Sequence, residues 1–349
     1  MIINYKLDPI YETILLLYNG YDMVNFKNKI IEQLNEVGGK GEEIYQKNFK
    51  TFVKYIKAFQ KNRVSFDRDN FYFKDISFDF YISFITPFFT NKELISTVSD
   101  MNNDQIIKLI LQDMEEIYEQ ELTGYLDMSH VEFTKTDNLM NFINKLDLSD
   151  NEKWKTLLII QNPKDYYSYF ADIIKKNIPA FEKSMETIKT SLDKYMQQYE
   201  DTFSTSEKGI DLFTEYKLTK CEISEVNPTM IAPTSIILLS KTCYYGLLVE
   251  KAMDDFGLRS NNKDYLLMCL KALSDSSKLE ILSILKTSPK YSTELATQLG
   301  LTPATVSYHM NTLMTAKLVY VEKSNSKFYY HTNEKAIREL IEQLSQVLI

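Results

Sequence analysis

The run from Ser292 to Pro303, Ser-Thr-Glu-Leu-Ala-Thr-Gln-Leu-Gly-Leu-Thr-Pro, constrains what this chain can fold into more than any other segment. Ser292 is an N-cap residue type, Glu294 puts a carboxylate in the first turn, and Leu295, Ala296 and Leu299 face inward. Gly300 supplies the left-handed backbone that ends a helix. Leu301 fills the turn, Thr302 can cap, and Pro303 suits the first position of a new helix running to about Ala316. Val306, Met310 and Leu313 recur at i, i+4 and i+7 and are predicted to lock that helix onto a core. Two short helices joined by a tight glycine turn make a helix-turn-helix.

The flanks extend this pattern into one unit over residues 263–349. A helix is predicted over Tyr265–Leu273, then a turn at Ser274-Asp275, then a helix over Ser277–Leu285 with Leu279, Ile281, Leu282 and Leu285 as its core face. Lys286–Lys290, with Pro289, is a polar break. Beyond Ala316, Leu318–Val321 and Phe328–His331 read as two strands joined by the lysine-bearing tip 322–327. A last amphipathic helix, Asn333–Leu348, exposes a stripe of Ile337, Leu340, Ile341, Leu344 and Leu348. The whole is a winged helix-turn-helix.

In such a fold the start of the second helix of the pair reaches base edges in the major groove. That assigns Thr302, Ala304, Thr305, Ser307, Tyr308 and His309 to a DNA-reading surface. His309 lies three residues after Val306 and is equally suited to a half-buried, hydrogen-bonded role. Lys323, Asn325 and Lys327 at the hairpin tip suit phosphates or the minor groove.

A net charge of −8 does not oppose this. From Lys286 to His331 five lysines stand against two glutamates, a local +3 that leaves −11 on the remainder. Charges more than about 10 Å from a phosphate are largely screened, so the local field decides. Arginine is confined to Arg63, Arg68, Arg259 and Arg338. The reader therefore lacks the side chain best suited to bidentate guanine contact before its last helix, which favours shape readout of A/T-rich operators. The abundance of Lys, Asn, Ile, Tyr and Phe is the bias of an A/T-rich, bacterial-looking genome.

The ordered motifs Leu273-Ser274-Asp275, Lys278-Leu279-Glu280-Ile281-Leu282, Glu294-Leu295-Ala296, Leu299-Gly300-Leu301, Thr305-Val306-Ser307-Tyr308-His309-Met310, Leu313, Lys317-Leu318-Val319 and Phe328-Tyr329-Tyr330 resemble the ArsR-type bacterial regulators over about a quarter of the chain. The resemblance implies a homodimer whose first and last helices of this domain pair across the two-fold. It also implies repression of transcription until an effector lowers DNA affinity. Metal-sensing members carry a cysteine pair in the third helix, or histidine and acidic ligands in the last one. Here the third helix reads Ser292-Thr293-Glu294-Leu295-Ala296, and no histidine follows His331, so metal sensing of the family's usual kind is not expected.

Residues 1–258 are expected to form a larger, mostly helical domain with a small β element, serving effector binding, dimerisation or a protein partner. The expected fold class is thus mainly α (α+β). Helices are predicted around Phe26–Val37, Glu42–Gln60, Asp104–Gln120 and Asn151–Ile160, and a short strand over Ile2–Leu7 precedes a helix with Pro9 near its start. Asp165–Tyr199 carries one apolar seam (Phe170, Ile174, Phe181, Met185, Ile188, Leu192, Tyr195, Tyr199), with Pro179 expected to kink or split it. Phe78, Phe80, Ile82 and Phe84 alternate with Asp79, Tyr81 and Ser83 and read as a strand. Lys220–Val226 and Ile236–Leu239 read as a hairpin or two short strands, and Gly257–Lys263 as the linker to the reader.

Several function classes are excluded at this level. Gly38-Gly39-Lys40-Gly41 lacks the strand and the Lys-Ser/Thr ending of a phosphate loop. No nucleophile elbow or zinc-protease helix is present, and His130 has no evident triad, so no catalytic activity and no cofactor are expected. Cys221, Cys243 and Cys269 lack metal-ligand spacing and read as small buried hydrophobes. The acidic run Asp113–Glu121 reads as a solvated face, and Tyr166, Tyr167, Tyr169 and Phe170 as core. No secretory signal or 18-residue apolar run is seen, so the chain is expected in the cytoplasm and off the membrane. The expected function is a dimeric DNA-binding transcriptional regulator, which the resemblance implies to be a repressor. The alternatives are a ligand-processing enzyme domain carrying a regulatory winged helix, and a winged helix that grips another protein.

Overall fold

The computed structural model describes residues 1–36, 41–110, 143–144, 148–204, 223–239, 241–251, 263–301, 303–324 and 327–349. Thr302, Asn325, Gly257–Asn262, the run Asp113–Glu121, His130, Cys221 and Gly38–Lys40 lie outside them, as does the predicted helix beyond Ile110. The fold is mainly α with a few short strands, as expected.

In chain order the elements are β1 (Ile2–Ile3), α1 (Pro9–Tyr21), α2 (Met23–Glu36), α3 (Gly41–Asn48), α4 (Lys50–Asn62), α5 (Asp69–Phe73), α6 (Phe78–Thr90) and α7 (Leu94–Thr97). There follow α8 (Asp150–Gln161), α9 (Pro163–Thr202), β2 (Glu225–Thr229), β3 (Ile236–Leu239) and β4 (Thr242–Gly246). The last part comprises α10 (Lys263–Leu273), α11 (Ser276–Thr287), α12 (Ser292–Leu299), α13 (Pro303–Thr315), β5 (Val319–Ser324), β6 (Lys327–Thr332) and α14 (Glu334–Leu348). The chain divides into two compact units. One comprises Met1–Leu7, Val24–Val53 and Thr190–Ile349; the other comprises Asp8–Met23 and Lys54–Lys189.

The second unit is built on an aromatic core. The Asp8 carboxylate caps α1 by accepting the Ile10 and Tyr11 N–H groups at 2.9 and 3.1 Å. Phe170 sits among Tyr72, Phe73, Tyr81, Phe84 and Phe88, with ring centroids 5.0–6.4 Å apart. The Tyr167 hydroxyl donates to the Phe84 carbonyl at 2.9 Å. Tyr167 and Phe170 are fully buried, but Tyr166 and Tyr169 reach the surface, where their rings flank the Arg68 guanidinium. Burial carries polar groups with it: Glu12 accepts the Tyr55 hydroxyl at 2.7 Å, and Asn177 bonds both the N–H and the carbonyl of Val64.

The strand expected over Phe78–Phe84 is instead the start of helix α6. Its buried residues, Phe80, Tyr81, Phe84, Ile85, Phe88 and Phe89, follow the helical period. Ser77 caps the helix through the Phe80 N–H, and the Glu152 carboxylate holds Ser77 in place by accepting its N–H and hydroxyl at 2.7 and 2.6 Å. Helix α9 runs unbroken past Pro179, so the proline does not split it. Its seam is buried within the chain at Phe170, Ile174, Phe181 and Ile188.

The first unit holds a four-stranded sheet in the order β1-β2-β4-β3. β1 and β4 flank β2 in parallel, and β3 closes the edge antiparallel to β4. Of the strands predicted over Lys220–Val226 and Ile236–Leu239, the second is β3, whereas the first shares only Glu225 and Val226 with β2, its residues 220–222 lying outside the described ones; β4, between β2 and β3 in the sheet, has no counterpart among the predicted strands. Pro228 lies in β2 beyond the two residues that β1 pairs, where a missing N–H interrupts no described ladder on that side. Gly246 ends β4 where a Cβ would meet the Ala232 and Pro233 carbonyl oxygens at 2.4 Å, so only glycine fits the close approach. Tyr199 of α9 packs on this sheet through Tyr5 and Tyr245. Cys243 is fully buried in β4.

Candidate nucleic-acid interface

Residues 263–349 have a core of their own. Val306, Met310 and Leu313 of α13 are fully buried, together with Ile281, Leu295, Ala316 and Leu318. The Ala316 carbonyl, freed at the end of α13, accepts the Tyr265 hydroxyl at 3.0 Å and the Cys269 thiol at 3.8 Å, tying α10 to the end of that helix. Burial pushes the Cys269 thiol up to about 11, the state of an inert structural thiol.

Asp275 caps α11 by accepting the Lys278 N–H at 3.0 Å. Ile281, Leu282 and Leu285 face the core as expected, but Leu279 is 54% exposed. Leu279 lies two residues from Ile281, on the other side of a helix with 3.6 residues per turn. α12 starts one residue earlier than predicted: Tyr291 is its N-cap, its N–H donated to Glu294 at 3.2 Å, while Ser292 is buried inside the first turn. Gly300 ends α12 at φ +64°, and its N–H and that of Leu301 both donate to the Ala296 carbonyl. Nothing lies within 4 Å of a Cβ built on Gly300, so an alanine there meets only backbone strain. We expect Gly300→Ala to lower stability by about 1–2 kcal/mol in urea denaturation, and an unchanged midpoint would contradict that reading.

Helix α13 begins at Pro303 and packs against α12. Of the residues predicted to read DNA, two have described side chains at the surface of this helix. Tyr308 is 43% exposed, on the opposite side from the buried Val306, Met310 and Leu313, and Thr305 is partly exposed at the flank of that buried face. Ala304 and Ser307 occupy neighbouring backbone positions in the same first turns. His309 takes the buried alternative: it is 8% exposed, beneath Tyr308, and its Nδ1 has no hydrogen-bond partner among the described residues.

Burial lowers the His309 pKa, Asp275 opposes that shift, and Lys278 adds to it. The folded protein thus holds His309 neutral where the unfolded chain, with a value of about 6.5, takes up a proton. Stability from this group is complete above about pH 6.5 and falls as pH drops through that value. Thermal melts between pH 7.5 and 5.5 should show a decline that His309→Gln makes shallower. Equal declines in the two proteins would remove His309 as its source.

The hairpin is longer and tighter than predicted. Strands β5 and β6 pair from Val319↔Thr332 to Ser324↔Lys327, so only residues 325 and 326 connect them. Lys323 and Lys327 stand in the last two pairs beside that connection. Tyr320 stacks on His331 at 5.0 Å, and His331 Nε2 lies 3.4 Å from Glu322. Lys317 precedes the hairpin at φ +56° and, through its N–H to the Met314 carbonyl, closes the end of α13.

The stripe predicted on the last helix divides. In α14, Leu340 is buried and Ile337 and Leu344 pack on the reader's core, whereas Ile341, Val347 and Leu348 are 57%, 66% and 76% exposed. α14 lies against α10, which itself exposes Leu267 and Leu270. Among the described residues no helix is long and apolar enough to cross a membrane, and no group of His, Cys, Asp or Glu is placed to hold a metal ion.

Comparison with known proteins agrees with this geometry. The sequence model of the family described as "Bacterial regulatory protein, arsR family" matches residues 275–321, from the cap of α11 into β5. The "Arsenical resistance operon repressor" of Staphylococcus aureus is 34% identical over 76 residues, which are 22% of this chain and 73% of that protein. No solved structure matches the chain. By its winged helix-turn-helix, the chain belongs to the arsR family of bacterial regulatory proteins.

Proposed function

We propose that this protein is a cytoplasmic, homodimeric repressor that reads operator DNA through α13 and β5–β6, under control of an input received by residues 1–258. One observation carries the reading. The helix of the pair that should enter the major groove buries Val306, Met310 and Leu313 completely, and turns Tyr308 and Thr305 outward where no core needs them. In this account Thr302, Ala304, Thr305, Ser307 and Tyr308 face base edges, and Lys323, Asn325 and Lys327 face phosphates. His309 supports them from beneath.

The dimer contact is assigned to the apolar side chains that α10 and α14 leave uncovered, Leu267, Leu270, Ile341, Val347 and Leu348. Exposed apolar clusters of this kind mark association surfaces. α12 carries no cysteine and α14 no histidine, so the proposed input is not a metal bound in either helix. It is an effector or partner of residues 1–258 that alters the spacing of the two reading helices.

Footprinting on the chain's own upstream DNA tests this together with sedimentation equilibrium. The expected result is a dimer protecting two half-sites about 34–36 Å apart. A monomer, or protection of one isolated half-site, would overturn the dimeric reading. No protection at any salt would shift the winged helix to protein contact.

A further inference from the structure

Lys278 is an unusual lysine. It is 8% exposed, lies in the first turn of α11, and has its Nζ 3.5 Å from the Asp275 carboxylate. The same Nζ stands over the Tyr308 ring, 5.7 Å from its centroid. His309 meets Tyr308 in an edge arrangement, with centroids 5.4 Å apart. The cap of α11 does not require this lysine side chain, because Asp275 accepts the Lys278 backbone N–H. A buried cation is ordinarily disfavoured and is kept where a specific partner compensates for lost water. Here the partners are Asp275 on one side and the face of an outward-turned tyrosine on the other.

We propose that Lys278 is a positioning residue for DNA recognition: anchored by Asp275, its ammonium fixes the Tyr308 ring in one orientation on the surface of α13, so that the ring is ordered before DNA arrives. The proposal rests on the DNA-reading role of α13. Its physical content is preorganisation. A cation over a tyrosine face is attractive, most of all when partly desolvated, and a side chain already held loses less freedom on binding. Lys278 then acts through Tyr308 and not by touching phosphate.

The test is a double-substitution cycle in the full-length protein, with affinity for its upstream DNA measured at several salt concentrations. Lys278→Met keeps the volume and removes the charge, Lys278→Arg keeps the cation, and Tyr308→Leu removes the ring. We expect Lys278→Met to weaken binding about 3- to 10-fold. Lys278→Arg should recover most of that, and Lys278→Met should have no further effect in the Tyr308→Leu background. The salt slope should stay at the wild-type value, since no phosphate contact is lost. An additive loss, or a slope reduced by about one, would make Lys278 a phosphate contact and overturn the proposal. A second readout needs no DNA: the Lys278 side-chain proton resonances should be ring-shifted, and Tyr308→Leu should abolish the shift. An unshifted lysine would likewise overturn the proposal. Failure of the wild-type protein to bind any DNA would instead sink the reading on which it rests, and the proposal with it.

Discussion

Alanine at Tyr308 is expected to weaken binding to operator DNA about 10- to 100-fold, the equivalent of one good base contact of roughly 1–3 kcal/mol. The effect should fall on recognition and leave the fold intact. Tyr308 is 43% exposed, whereas the residues that hold α13 in place, Val306, Met310 and Leu313, are fully buried. Ring loss should reduce discrimination between operator and unrelated DNA more than it reduces non-specific binding, which is largely phosphate-driven. Competition titrations with operator and scrambled duplexes read both quantities. Equal weakening on the two duplexes would remove Tyr308 from base readout.

The second large effect concerns the other unit and stability alone. Arg63 and Asp69 form an ion pair whose side chains are 8% and 12% exposed. Burial lifts the Asp69 carboxyl above its ordinary value even though Arg63 pulls it down, so desolvation outweighs attraction. Asp69→Ala should therefore cost about 3–5 kcal/mol, because it strands a buried guanidinium. Exchanging both residues for apolar ones of similar volume should cost far less. Trp154, the only tryptophan, lies in the same unit and reports its unfolding. A double substitution as damaging as the single one would show that the pair itself, and not the stranded charge, carries the stability.

The reader was legible because its constraints are local. A left-handed residue must end α12, and Gly300 at φ +64° meets that need. The spacing of Val306, Met310 and Leu313 carries the same kind of information: one helix period decides which face is buried. Where a side chain's surroundings come from another element, local reasoning lost its hold. In an alternating strand Tyr81 would be an outward, polar position, yet its ring is buried and its hydroxyl donates to the Ile14 carbonyl at 2.8 Å. That tyrosine completes a helical face and is invisible as such to a period-two reading. β4 leaves no alternating signal because it is an interior strand, paired on both edges, and Cys243–Gly246 are all buried. The sequence around His309 does not decide its role for a related reason: its environment includes Asp275 and Lys278, more than thirty residues upstream. The readers themselves could be proposed from the sequence because only a fold match and an outward face were needed. The Lys278 contact beneath Tyr308 could not, since it joins two helices across the domain.

The most direct test of the central claim is a fluorescence-anisotropy titration of the full-length protein against its own upstream DNA at two salt concentrations, beside a Ser307→Ala/Tyr308→Ala variant. The wild-type protein is expected to bind tightly, with an affinity that weakens steeply with salt, and the variant to lose the operator preference. Wild-type and variant curves that coincide at both salts would contradict that claim, because α13 would then have no part in reading DNA.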